Sequence, residues 1–109
     1  MKVGVQFPHM GEFATARVVR EVAGALEHQG VATFSVGEHI FYPLRPKSSS
    51  LWRVADTPTE TVEMNPSHHS MLGALETLSY LAAITTRVRL ATAVIVGAYH
   101  PPVLLARRL

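Results

Sequence analysis

Glu38 and His39 stand side by side at the end of the stretch Thr33-Phe34-Ser35-Val36-Gly37-Glu38-His39, and together they have the chemistry for proton transfer. Histidine ordinarily titrates near neutral pH, so it serves as acid, base or hydrogen-bond donor. A neighbouring carboxylate can orient an imidazole or raise its basicity, although adjacent side chains on an extended chain point to opposite sides. On spacing alone His39 is either the chemical residue or a polar group in a loop. Its position favours chemistry. Thr33 to Val36 reads as a buried parallel strand, apolar and β-branched because such strands are covered on both faces. Folds of alternating strands and helices keep their ligand sites at the C-terminal ends of such strands.

Other candidates are weaker. His68 and His69 are adjacent at an expected helix start, where neighbouring side chains do not face one another. The chain has no His-x-His and no His-Glu-x-x-His, so no metal site is expected. Ser67 and Ser70 lack the Gly-x-Ser-x-Gly setting of a nucleophile. The first strand exits through Pro8-His9-Met10-Gly11-Glu12, which is no Gly-x-Gly-x-x-Gly turn, and no phosphate-binding Gly-x-x-x-x-Gly-Lys-Ser/Thr loop occurs. That turns the expectation from a nucleotide-binding sheet towards a barrel. Small residues, Ala91 and Ala93, stand near the outlet of a later strand. Small side chains admit a flat ligand close to the backbone, but ordinary core packing is the plainer explanation.

The elements that must position these residues follow from the pattern. Lys2 to Phe7 reads as a first strand, stopped by Pro8, and Pro8 to Phe13 as a loop. A helix is expected from Thr15, a capping residue, to Gln29, with Gly30 just past its end. Its apolar stripe reads as Ala14, Val18, Val22 and Leu26. Val31 to Val36 is the second strand, giving a βαβ unit with a parallel pair. From Ile40 to Ser67 prolines and serines forbid a long regular element. Loops longer than about 15 residues in a compact domain are usually functional or disordered. This one leaves the strand end that presents His39, and Phe41, Tyr42 and Trp52 either roof a pocket or anchor a surface loop. A second helix is expected from His69 to Thr85, with Leu72, Leu75, Leu78 and Leu81 inward and Glu76 and Thr77 outside. Val88 to Val96 reads as a third strand, and Val103 to Leu109, after Pro102, as the start of a third helix.

Composition narrows the classes. The chain has 109 residues, 48% hydrophobic and 17% charged, with a formal charge of +2, as in a soluble globular domain. Its basic residues are scattered and not interleaved with aromatics, so nucleic-acid binding has no footprint. Without cysteine there is neither a disulfide framework nor a thiolate metal site. The N-terminal apolar run breaks at Gln6 and Pro8, too short for a signal peptide. No apolar run approaches the roughly 20 residues of a membrane span. A cytoplasmic protein is expected, with no membrane or nucleic-acid partner.

Taken in order, the segments resemble the luciferase-like monooxygenase family, which includes bacterial luciferase and oxidoreductases dependent on the deazaflavin F420. Lys2-Val3-Gly4-Val5-Gln6-Phe7-Pro8 looks like the family's first strand. Gly30 to Ile40 is similar to its Gly-Phe-x-Ser-x-Trp-x-Glu/Asp-His segment, with Gly37 in place of a commoner aromatic. Leu81 to Val94 is similar to Leu-Ala-Ala-x-Thr-x-Arg-Ile-Arg-Leu-Gly-Thr-x-Val, with Ala91 for the Gly. Pro102 to Arg107 is similar to Pro-Val-x-x-Ala-Lys, with Ala98 where a Pro is common and His100 one position before its usual place.

The resemblance implies a (β/α)8 barrel that holds FMN or F420 at the C-terminal ends of its strands. A complete barrel needs about 250 residues, so residues 1–109 are expected to be a single partial domain, about three βα units from the N-terminal part, cut short at the C-terminus. By resemblance His39 is the catalytic residue, and Glu38, Ala93 and Val94 lie at the cofactor, with a non-proline cis peptide at Ala93-Val94. The intact protein is then expected to be a flavin- or F420-dependent oxidoreductase or monooxygenase acting on a small organic substrate. F420 is preferred over FMN, because Pro-Val-Leu-Leu-Ala and Glu-His-Ile look most like that branch. A flavin or F420 reductase and a second copy in a homodimer are the expected protein partners. The rival expectation is a non-catalytic truncated fragment, or a flavin-binding protein without turnover.

Overall fold

The structure is a computed structural model that describes residues 1–39 and 70–109. The expected loop from Ile40 to Ser67, with its aromatics, and the pair His68-His69 lie outside the described residues. Within them the chain is an α/β unit: β1 Gly4–Gln6, α1 Ala16–His28, β2 Thr33–Val36, α2 Ala74–Ile84, β3 Arg89–Thr92 and α3 Pro102–Arg108. Short 3-10 turns occupy Gly11–Phe13 and Gly97–Tyr99. Among the described residues, no helix is long and apolar enough to cross a membrane.

The three strands are all parallel, in spatial order β1-β2-β3. Val5 lies opposite Phe34, and Phe34 opposite Leu90, so these residues share one face of the sheet. That face holds the core: Phe34 and Val36 pack with Phe7, Val19, Ala23, Ala74 and Leu81. The rings of Phe7 and Phe34 lie 5.2 Å apart at 52°, a tilted arrangement favoured by aromatic quadrupoles. The other face carries Gly4, Gln6, Thr33, Ser35, Arg89 and Ala91, each exposed or half-buried. The expectation of strands covered on both faces therefore holds for one face of the described sheet.

Helix α1 starts where the sequence places it. The Thr15 hydroxyl accepts the Val18 N–H at 3.2 Å and caps the first turn. At the other end Gly30 takes φ 83°, the Gly30 N–H donates to the Glu27 carbonyl, and the Val31 N–H donates to the Leu26 carbonyl. This is a Schellman closure, and the left-handed φ explains the glycine. The buried stripe differs from the expected one: Val19 and Ala23 are enclosed, with Val22 and Leu26 beside them. Beginning the helix at Ala16 leaves Ala14 outside it and turns Val18 to the flank.

Helix α2 begins at Ala74, not near residue 69. The segment before it is extended because its backbone groups pair elsewhere. Ser70 accepts the Gly11 N–H, Leu72 donates to the His9 carbonyl, and Met71 bridges to Met10. Thr77, expected outside, is 3% exposed, and its hydroxyl donates to the Gly73 carbonyl at 2.7 Å. That internal bond removes the cost of burying the hydroxyl.

Glu27 joins α1 to the turn before β3. Its Oε1 accepts the N–H groups of Arg87, Thr86 and Val88 at 2.7, 2.9 and 3.3 Å. These bonds, those of Arg87 and Thr86 foremost, hold the carboxyl below its ordinary pKa. The resulting stabilisation is present above the ordinary carboxylate pKa and fades as pH falls through the lowered one. We expect Glu27→Gln to lower the urea midpoint at pH 7 and to unfold at nearly the parent's midpoint near pH 3. An equal deficit at both pH values would contradict the clamp. Phe34→Ala should cost about 3–5 kcal/mol in the same assay.

Candidate functional site

Because the strands are parallel, their C-terminal ends open on one side of the sheet. The residues that leave it there are Phe7 to His9 after β1, Gly37 to His39 after β2, and Ala93 to His100 after β3. The β2–β3 pairing continues past the assigned strands: Ala93 donates to the Val36 carbonyl and Glu38 to the Val94 carbonyl, both at 2.9 Å. The peptide bond Ala93-Val94 is cis, at the position the resemblance implies. Beyond it the chain curls through the 3-10 turn to His100, so β3 ends at Thr92 and does not reach Val96 as its apolar run suggests.

Glu38 organises this outlet. Its Oε2 accepts the Val96 N–H at 2.8 Å, and both carboxylate oxygens lie within 2.9–3.0 Å of His100 Nε2. The two side chains are only 12% and 16% exposed. A carboxylate can only accept here, so Nε2 carries a proton in this contact. Burial pushes the Glu38 pKa up, but the Val96 N–H and the His100 ring together outweigh it and leave the group below its ordinary value. Glu38 is therefore held as an anion with a fixed partner.

His39 lies three residues past Val36, on the outlet side, and is exposed. Alternation along the extended segment explains the split: Glu38 turns inward to Val96 and His100, while His39 turns outward. The idea that Glu38 serves to orient its neighbour thus gives way to a carboxylate engaged by an imidazole sixty-two positions on. The backbone bond from Glu38 to Val94 brings three of the four expected site residues together, with His39 beside them. Ala91 and Ala93 are exposed, and Val94 is 65% exposed, so the small residues do not serve the core as the plainer reading had it.

Two imidazoles at the outlet were not among the expected site residues, although the resemblance notes His100 as a displaced histidine. His100 carries a faint signal, as the only histidine in the stretch after the third strand, available to an inward carboxylate. His9 carries none, because a histidine after a Pro reads as loop. It is 2% exposed, with Nδ1 3.0 Å from the Phe7 carbonyl and Nε2 2.9 Å from the Gly37 carbonyl. No lysine or arginine occurs among residues 7–12, 37–39 or 93–100. Among the described residues, no three His, Asp or Glu side chains gather as a metal site.

Comparison of the chain with protein-family models, with curated proteins and with solved structures finds no match.

Gly37 is the crossing point of the three outlets. A Cβ on it would lie 3.0 Å from the Ala93 carbonyl oxygen and 3.5 Å from Gln6 Nε2. This close approach explains the glycine at this position. Gly37→Ala should destabilise the fold by about 1–3 kcal/mol through overpacking against backbone. By contrast a Cβ on Gly24, within α1, meets nothing within 4 Å. Gly24→Ala should stabilise by about 0.5–1 kcal/mol. Urea unfolding of both variants checks the opposite signs, and a neutral Gly37→Ala would refute the close approach.

Proposed function

We propose that the chain is the N-terminal part of a (β/α)8 barrel whose outlets form part of a flavin or F420 site, and that the intact protein is an oxidoreductase acting on a small organic substrate. The observation that carries this reading is the gathering of Glu38, His39 and His100 where three parallel strands open together. The residues fit the ring portion of such a cofactor. Ala91, Ala93 and Val94 give a low, exposed apolar surface, and imidazoles stand beside it. Among the described residues the outlet segments carry no cation for a phosphate, so that charge must be met by other residues.

When bound, the cofactor supplies the redox chemistry, and the protein supplies position and electrostatics. His39, exposed at the mouth, is the group that takes up or delivers the accompanying proton. The Glu38–His100 pair holds the segment carrying His39 against the turn after β3. Val94 supplies an apolar wall. The rival reading is a chain that turns nothing over.

Titrating the intact protein with F420 and with FMN, followed by absorbance, tests the reading, and F420 should bind the more tightly. His39→Ala should keep cofactor affinity within a few-fold and lose about 10²–10⁴-fold in turnover. Unchanged turnover would remove His39 from the mechanism. No spectral change with either cofactor would favour the rival.

A further inference from the structure

His9 is one of two buried polar side chains among the described residues, and the only one that reaches across the sheet. Both ring nitrogens face main-chain carbonyls, Phe7 at 3.0 Å and Gly37 at 2.9 Å. A carbonyl oxygen only accepts, and a neutral imidazole has one N–H to give. In either neutral tautomer one ring lone pair is aimed at a carbonyl lone pair at hydrogen-bond distance. The imidazolium donates to both. In that form the ring is a clasp that ties the outlet of β1 to the outlet of β2.

Phe7 is buried in the core, and its N–H donates to the Ser35 carbonyl at 2.8 Å. The backbone around His9 is fixed as well, since its carbonyl accepts the Leu72 N–H and Gly11 donates to Ser70. Gly37 begins the segment that carries Glu38 and His39. Among the described residues, the charged groups on the segments packed around the ring are few. Glu12 on the 3-10 turn is exposed, Glu38 is engaged by Val96 and His100, and His39 faces outward. Residues 70–73 carry no charge, and Glu76 in the first turn of α2 is exposed, its carboxylate lying against Gly73.

We propose that His9 is a positioning residue whose protonated ring holds the Gly37-Glu38-His39 segment, so that proton occupancy of His9 sets where Glu38 and His39 stand. The placement is complete with the proton on and is lost as pH rises and the proton leaves. The proposal rests on the oxidoreductase reading only for what the segment is used for.

Nitrogen-15 spectra of the full chain, recorded from about pH 5 to 9, around the ordinary histidine range, test it directly. The Gly37 and Glu38 amides should carry a shift with the midpoint of the His9 ring nitrogens, while the Thr86 and Arg87 amides, bound to Glu27 at the far end of the sheet, hold still. His9→Gln should abolish that shift. If His9→Gln does not fold, His39→Asn/His100→Asn leaves His9 as the one imidazole at the described outlets, and the shift should persist there. Outlet amides that stay fixed, whether or not the ring titrates, would overturn the proposal, as would an unchanged shift in His9→Gln. Coupled shifts without cofactor binding would sink the oxidoreductase reading and leave the clasp intact. Cofactor binding without coupled shifts would sink the clasp alone.

Discussion

The carboxylate of Glu38 is the constraint on which the arrangement of the outlet depends. A buried anion is tolerated only when its oxygens are satisfied, and those of Glu38 are met by a main-chain N–H and an imidazole from the chain after β3. Charge-assisted bonds of this kind are stronger than neutral ones. They fix the turn after β3 against the end of β2 and so hold Val96 and His100 to Glu38.

A second carboxylate does the matching work at the opposite end of the sheet. Glu27 accepts the N–H groups of the chain entering β3, as Glu38 accepts one from the chain leaving it. Between them lies a strand of four residues, Arg89–Thr92, with one exposed face. Its register is set on its buried side by Leu90 beside Phe34, and at both ends by acids nearly sixty positions away in sequence. The tilted Phe7–Phe34 contact does the same for β1 and β2. The outlet is thus aligned by apolar packing beneath the sheet and by two anions at its ends.

Much of this framework was legible from residue types. The order of strands and helices, the Thr15 cap, the Gly30 closure and the Pro102 start of α3 follow from local chemistry that tertiary contacts do not override. The misreadings have separate causes. Residues 70–73 look helical by apolar spacing, yet they lie extended because their backbone groups pair with the chain after β1. Val94 to Val96 look like strand, yet the chain turns away at a cis bond that the residue types alone would not disclose and that only the family resemblance suggested. The site was half legible. Glu38 and His39 announce themselves as neighbours, but the partner of Glu38 is distant in sequence, and His9 is defined wholly by two carbonyls that no side-chain pattern records.

The Glu38–His100 contact is the link that makes the outlet one site, and a double-mutant cycle measures it most directly. Glu38→Gln, His100→Asn and the pair would be compared by urea unfolding at pH 6–7. With both groups in place the account predicts a coupling of about 1.5–3 kcal/mol, as for hydrogen bonds to a charged group. Additive losses, with no coupling between the two substitutions, would contradict it.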